Sequence, residues 1–327
     1  MRITEYGTSL FHLRQLDTNR TREDQISQQL SSGRRFLADS EDPNSAAEAQ
    51  VIRRQAGYLA LYRENIVRAR STMSYADSVL DSATQLLYKA QQIANQAAGS
   101  FLPSSQLKRS AEAILNIRKE LVELANSSLQ GVYIFAGAQN NIKPYIFIDP
   151  ADPTNTNPDP LTSYVAFRGD NNDREIQVAS SLDIQDTMSG IQIFATDIYP
   201  SPVPSPPPAP ANPEDVFETL RQMAEAIRQG NIQSGTPSFT QMAPLLESAR
   251  ARISESRGAL GARLNLIQQV EFDLQDQELQ LQTRLSSVED VDIAKSVTEL
   301  SLNQAANQAT LYAQGNVMKS TLFDFIG

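Results

Sequence analysis

The chain has 327 residues, a formal net charge of −10, 40% hydrophobic and 7% aromatic residues, no Trp, no Cys and a single histidine. A length of this order suggests about two domains, and so few aromatics suit long packed helices better than one large globular core. Without Cys there are no disulfides or thiolate metal sites, and with His12 alone, histidine acid–base chemistry and histidine metal clusters are nearly excluded.

Leu10 to about Leu30 reads as a weakly amphipathic helix that Ser31, Ser32 and Gly33 end. Asp42-Pro43 then has the chemistry of a helix start, with Asp42 as cap and Pro43 in the first helical position. From there to Ala98 the apolar residues keep a seven-residue step. Ile52, Leu59, Ile66, Met73, Leu80, Leu87 and Ala94 form one rail; Gln55, Tyr62, Ala69, Ala76, Ala83, Ala90 and Ala97 form the other. Alternating steps of three and four are the heptad pattern of a long helix packed on other helices. At about 1.5 Å per residue this helix is roughly 80 Å long. Gly99, Ser100 and Pro103 break it, and Leu107, Ala111, Ile114, Leu121 and Ala125 mark a third helix folding back antiparallel, ending near Leu129.

Gly131–Gly137 changes the period to that of a strand, and further strands are expected at Tyr164–Arg168, Glu175–Val178 and Ile191–Ala195. Gly169–Asp173 lies between two of these and reads as a hairpin turn. It has a faint likeness to a Ca²⁺ loop, but Arg174 stands where a ligand is needed. Pro200–Pro213 holds eight Pro in fourteen residues, which makes it a stiff spacer or exposed loop. Helix returns at Glu214–Gln229, with Val216, Phe217, Leu220, Met223, Ala224 and Ile227 facing one way. A last long helical stretch begins near Phe239, with Leu260, Leu264, Ile267, Leu274, Leu281, Leu285 and Val288 as its seam. Ser301–Met318 carries no charge; small residues and amides on all sides suit contact with several helices at once.

The expected class is α+β: a long coiled-coil helical rod built from both chain ends, with a small mainly-β domain inserted in the middle. Its expected parts are 1–42, an assembly helix and loop; 43–138, the N-terminal part of the rod; 139–199, the β insert; 200–213, the Pro-rich linker; 214–292, the C-terminal part of the rod; and 293–327, a C-terminal assembly helix. Ile52, Leu59, Ile66, Met73, Leu80, Leu87, Leu264, Ile267, Leu274, Leu281 and Leu285 are the expected rod-packing residues. Between Gln139 and Asp215 there are eleven acids against three bases, so the middle is acidic and the helices near neutral. Nucleic-acid binding, which needs a basic stripe, is not expected. No segment has the apolar length of a membrane span, and Met1–Leu16 lacks the apolar run of a signal peptide. There is no phosphate-binding glycine loop. Glu289, Asp290 and Asp292 read as a solvated face or an inter-helix contact, so neither an enzyme nor a cofactor is expected.

Three stretches carry a family resemblance. Gln28-Gln29-Leu30-Ser31-Ser32-Gly33-Arg34-Arg35, followed by Asp42-Pro43 and Ala46-Ala47, resembles the N-terminal region of flagellins and flagellar junction proteins. Ser286-Ser287-Val288-Glu289-Asp290-Val291-Asp292-Ile293-Ala294 resembles their C-terminal signature, and Leu260-Gly261-Ala262-Arg263-Leu264-Asn265 the segment before it. Met1-Arg2-Ile3-Thr4, and Leu124-Ala125-Asn126 running into Gly131-Val132-Tyr133-Ile134-Phe135-Ala136-Gly137, are similar to the junction proteins rather than to filament flagellins.

The resemblance implies a structural protein exported through the flagellar type III apparatus to an extracellular site in the flagellum. It implies self-association in a helical ring, contact with a hook-side junction protein and with flagellin or the filament cap, and a cytoplasmic export chaperone on the C-terminal helices. On that reading Leu10, Leu13, Leu302, Ala306, Ala309 and Leu311 belong to subunit assembly, with the two terminal helices largely disordered in the free monomer. A filament flagellin and another secreted coiled-coil scaffold are the alternatives.

Overall fold

The computed structural model describes residues 2–99, 102–149, 159–196, 212–230 and 238–326. The helices are α1 (Arg2–Ser32), α2 (Pro43–Ala98), α3 (Ser104–Ala125), α4 (Gly190–Phe194), α5 (Val216–Gln229), α6 (Phe239–Glu289) and α7 (Ile293–Ile326). The strands are β1 (Ser128–Leu129), β2 (Val132–Tyr133), β3 (Tyr145–Ile148), β4 (Tyr164–Phe167), β5 (Glu175–Ala179) and β6 (Leu182–Gln185). The chain divides into two compact units, Met1–Ala60 with Gln275–Gly327, and Leu61–Leu274; α2 and α6 contribute to both.

At the start of α2 the Asp42 carboxylate accepts from Ser45 N at 3.1 Å, satisfying one of the orphan amides of the first turn. Hydrogen bonds from Ser45, with Arg35 nearby, hold its pKa below the ordinary value. In the Leu61–Leu274 unit, Ile66, Met73, Leu80, Leu87, Ala69, Ala76, Ala83, Ala90 and Ala97 of α2 are buried, and so are Leu246, Ala249, Ile253, Leu260, Ile267, Val270 and Leu274 of α6. Each large side chain there contributes roughly 1.5–3 kcal/mol. Ion pairs and hydrogen bonds set the register: Arg70 with Glu271, Arg257 with Asp77 at 2.9 Å and Asp81 at 2.8 Å, and Arg250 with Gln91 at 3.1 Å. As numbers rise on α2 they fall on α6, so the two helices run antiparallel.

Helix α5 packs against α3. Its N-cap Asp215 accepts from Phe217 N at 2.7 Å and Glu218 N at 3.2 Å, and Gly230 ends it at φ 74°. Val216, Phe217, Leu220, Met223, Ala224 and Ile227, the face expected from the sequence, are buried. Arg118 of α3 is buried too. Its guanidinium donates to Phe217 O of α5 at 2.9 Å, and to Pro160 O at 2.7 Å and Ser163 O at 2.8 Å in the turn before β4. Burial lowers its pKa to about 10, where it remains charged near neutral pH.

The six strands form three separate two-stranded antiparallel ladders, β1-β2, β3-β4 and β5-β6. A two-stranded ladder is marginal alone, so these depend on what they pack against. Phe135, Tyr145, Phe167, Phe194 and Phe217 make a buried aromatic cluster with ring centroids 5.1–5.9 Å apart. Asn126, just past α3, acts as a one-residue strand. Its Oδ1 accepts from Tyr145 N at 2.8 Å, and its Nδ2 donates to Tyr145 O and to Val122 O, both at 2.9 Å.

Several expected details are corrected. Ile191–Ala195 is not a strand: Gly190–Phe194 is the short helix α4, which carries Phe194 into the aromatic cluster. Gly169–Asp173 does not close a hairpin, because β4 pairs back to β3 while β5 turns at once into β6. Strands β1, β3 and β6 were not anticipated, and of Gly131–Gly137 only Val132–Tyr133 is strand. Helix α3 ends at Ala125, short of Leu129, and the last helical stretch is two helices with a break at Asp290–Asp292. Most of Pro200–Pro213 lies outside the described residues. Gly137 has φ 73°, and a Cβ there would run into the side chain and carbonyl of Asp170.

Two outcomes are expected. Asn126→Ala strands the buried amide and carbonyl of Tyr145 and lowers unfolding stability by roughly 2–4 kcal/mol, read from the urea midpoint. Burial raises Asp215 from 3.8 to about 8. Between those values the folded chain holds a proton that the unfolded chain has released, so this group's stabilisation is full below pH about 4 and is lost as pH rises through about 8. Asp215→Asn keeps a capping oxygen and removes the titration. The variant is therefore expected to gain stability relative to the parent on going from pH 5 to pH 8.5, measured by urea unfolding at both.

Candidate functional site at the paired chain ends

The unit formed by Met1–Ala60 and Gln275–Gly327 brings the two ends of the chain together. Its joint is made by the stretches that carry the family resemblance. Gly33, at φ 72°, turns the chain out of α1. Its carbonyl accepts from Val291 N at 3.0 Å, Arg35 N donates to Glu289 O at 2.7 Å, and Arg34 and Asp290 form an antiparallel bridge. The short turn after α1 thus pairs as a strand with the break between α6 and α7.

Side chains brace this joint. Gln29 Nε2 donates to Arg35 O at 2.6 Å, and the Arg35 guanidinium reaches Ser45 Oγ at 2.6 Å and Asp42 at 3.3 Å. Glu289 is buried and pairs with Arg53 of α2 at 2.6 Å, while Arg284 pairs with Glu48 at 2.8 Å. Ser286 donates to Asp290, and Asp292 Oδ1 accepts from Lys295 N at 3.0 Å, capping α7. Of the three acids at this break, Glu289 is therefore an inter-helix contact and Asp292 a helix cap. Among the described residues no cluster of three or more His, Asp or Glu could hold a metal ion.

Beyond the joint, α1 and α7 pack together, and polar contacts link their described residues. Asn303 Nδ2 donates to Asn19 O at 2.7 Å, Asn307 Nδ2 and Gln304 Nε2 reach the Glu23 carboxylate at 3.1 and 3.2 Å, and Arg22 pairs with Glu299 at 3.4 Å. Leu16 and Ile26 are the large apolar side chains of α1 that are buried among those described. The residues expected to serve assembly face outward: Leu10 is 37% exposed, Leu13 50%, Leu302 66% and Leu311 51%, and Ala306 and Ala309 are exposed as well. Phe11 and Tyr312 add to this surface at 63% and 76%.

The expected rod-packing residues divide. Ile52, Leu59, Ile66, Met73, Leu80, Leu87, Ile267 and Leu274 are buried. Leu264, Leu281 and Leu285 are half-buried. The inward step before Ile267 falls at position 263, where Arg263 donates to Gln185 Oε1 at 2.7 Å, so Leu264 sits one position off the buried row. Reading residues alone missed Arg118, Asn126 and Asp215. A charged side chain in an amphipathic helix gives no sign that it will be buried, although Asp215 just before an apolar helical run is a legible cap.

The pair Arg53–Glu289 is expected to hold the joint more strongly than Arg284–Glu48, both of whose partners are solvated. Arg53→Ala leaves Glu289 without its cation and costs the joint about 1.5–3 kcal/mol, against at most about 1 kcal/mol for Arg284→Ala. Hydrogen exchange of the Arg35 and Val291 amides measures both.

Residues 3–140 match the bacterial flagellin N-terminal helical region, and residues 244–326 match the bacterial flagellin C-terminal helical region. The chain is 24% identical over 303 residues to flagellar hook-associated protein 3 of Escherichia coli, covering 90% of each chain. It is 24% identical over 305 residues, 91% of each chain, to the protein of the same name from Salmonella typhimurium. The crystal structure of flagellar hook associated protein-3 from Legionella pneumophila shares the fold at a TM-score of 0.59 and 15% identity, over 73% of this chain and 98% of that one. With both helical regions present and joined through the motifs at Gly33–Arg35 and Glu289–Val291, this chain belongs to the flagellin family.

Proposed function

We propose that this chain is a structural subunit of the bacterial flagellum that forms the junction between hook and filament. The observation that carries the reading is the end-to-end likeness to hook-associated protein 3, over about nine-tenths of both chains. A protein that only borrowed the flagellin ends would lose that likeness across the middle.

The apolar surface left open on α1 and α7 supports assembly through the chain ends. Leu10, Leu13, Leu302 and Leu311 are what neighbouring copies in a helical ring would cover, with a hook-side junction protein on one side and flagellin or the cap on the other. The polar, uncharged face of α7 from Ser301 onward suits burial against several helices. Before export through the type III apparatus, the same surface gives a cytoplasmic chaperone something to shield. No described helix is long and apolar enough to cross a membrane. A filament flagellin is the second reading, favoured by the flagellin helical regions at both ends. The two differ in behaviour, since a flagellin polymerises by itself into long filaments and a junction subunit does not.

Deleting the gene is expected to leave hooks without filaments and to release flagellin into the medium; filaments of normal length in the deletion strain overturn the junction reading. In the free monomer, the described residues of α1 and α7 bury little apolar surface against an ordering cost of about 1–2 kcal/mol per residue. Limited proteolysis is therefore expected to trim both ends before it cuts α2. Removing 301–327 is expected to abolish incorporation while leaving the helical content of residues 43–289 in place, as read by circular dichroism and by complementation of motility.

A further inference from the structure

The hairpin β5-β6 is too small to hold itself. Its ladder joins a five-residue and a four-residue strand, with an irregularity between Gln177 and Ala179. Yet its underside is buried at Val178 and Ile184, and its base is tightly tied. The Arg174 guanidinium pairs with the buried Asp186 carboxylate, with Nε at 2.9 Å. Arg174 N donates to Thr187 Oγ1 at 2.8 Å, and Asp173 Oδ1 accepts from Ser189 N at 2.8 Å.

From that fixed base the two strands reach different helices. On the β5 side, Asn65 of α2 donates through Nδ2 to Gln177 O at 2.8 Å. On the β6 side, Arg263 of α6 donates to Gln185 Oε1 at 2.7 Å and, at 3.4 Å each, to Gln185 O and Thr187 O. Asn65 meets one unpaired edge carbonyl. Arg263 takes three acceptors with its planar fork, which an ammonium on a flexible stem cannot match.

We propose that β5-β6 is a strap across α2 and α6, and that Arg263, a member of the Leu260–Asn265 motif, is the positioning residue that closes it. The ion pairs Arg70–Glu271 and Arg257–Asp77 set the register of the helices from side to side. The strap bridges the pair from above, so that axial sliding of one helix against the other must break contacts at the strap as well. Arg263 occupies an inward heptad position on α6 because it serves the hairpin rather than the apolar core. The strap would matter to a subunit that transmits load along its helices, and this consequence rests on the junction reading; the strap itself does not.

The test uses the full-length chain and hydrogen exchange followed by mass spectrometry. Arg263→Ala is expected to speed exchange of the β5 and β6 amides by about tenfold or more, the loss expected for charge-assisted hydrogen bonds. It is also expected to speed exchange of the α2 amides around Asn65, which Arg263 does not touch. Arg263→Lys should fail to restore protection. If the strap acts as one device, Asn65→Ala with Arg263→Ala gives nearly the same exchange as Arg263→Ala alone. Additive effects, with α2 unchanged in Arg263→Ala, reduce Arg263 to an ordinary surface contact and overturn the proposal. Because the protein has no Cys, Asn65→Cys with Gln177→Cys can be cross-linked cleanly, and the cross-link is expected to restore α2 protection in Arg263→Ala. Failure there sinks the strap. Motility of the Arg263→Ala strain reports separately on the junction reading.

Discussion

Along α2, a large apolar side chain every seven residues turns inward beside a row of alanines, and α6 answers with its own buried row. Burial of those rows supplies the energy of the helix pair, at roughly 1.5–3 kcal/mol for each large residue. The arginine–carboxylate pairs between the helices add little each, because exposed pairs are worth at most about 1 kcal/mol. Their work is selection. Rows built from Leu, Ile and Ala pack almost as well after a slip of one heptad, whereas Arg257 finds Asp77 and Asp81 in only one register. Within the Leu61–Leu274 unit, the β5-β6 hairpin sits on both helices of that pair.

The small domain follows. Its ladders have two strands each and no shared sheet, so packing must come from elsewhere. Arg118 collects three carbonyls from α5 and the turn before β4, Asn126 stands in for a strand beside Tyr145, and an aromatic cluster closes around Tyr145 and Phe194. Charged and amide groups do inside this domain what a continuous sheet does in others. The chain ends have a joint of their own, where Gly33–Arg35 and Glu289–Val291 are held together by backbone hydrogen bonds. Helices α1 and α7 then leave from a braced joint with apolar side chains still open to solvent. That pairing of a firm joint with uncovered helices is what a subunit completed by its neighbours needs.

The long helices were legible because heptad spacing is a local, periodic signal repeated over many turns. Asp42-Pro43 before α2 and Gly33 after α1 were legible for the same reason, since a cap acts within one turn of its own position. The small domain was not. Ile191–Ala195 has the composition of a strand and became helix α4, because Gly190 and Phe194 fit closely against Phe135 and Tyr145. Gly169–Asp173 has the chemistry of a tight turn, but turn chemistry does not name the strands on either side of it.

By itself, then, the amino-acid sequence determined the long helices and α5, most of their inward faces, the acidic middle and the motifs at both ends, signals carried largely by neighbours three, four or seven residues away. Only the tertiary structure decided which strands pair, that Arg118 and Asp215 are buried, that Glu289 meets Arg53, and that Arg263 serves the β5-β6 hairpin rather than the helix seam. Those outcomes depend on partners up to a few hundred residues distant, and no local spacing encodes which of many chemically equivalent partners the packed helices will bring within reach.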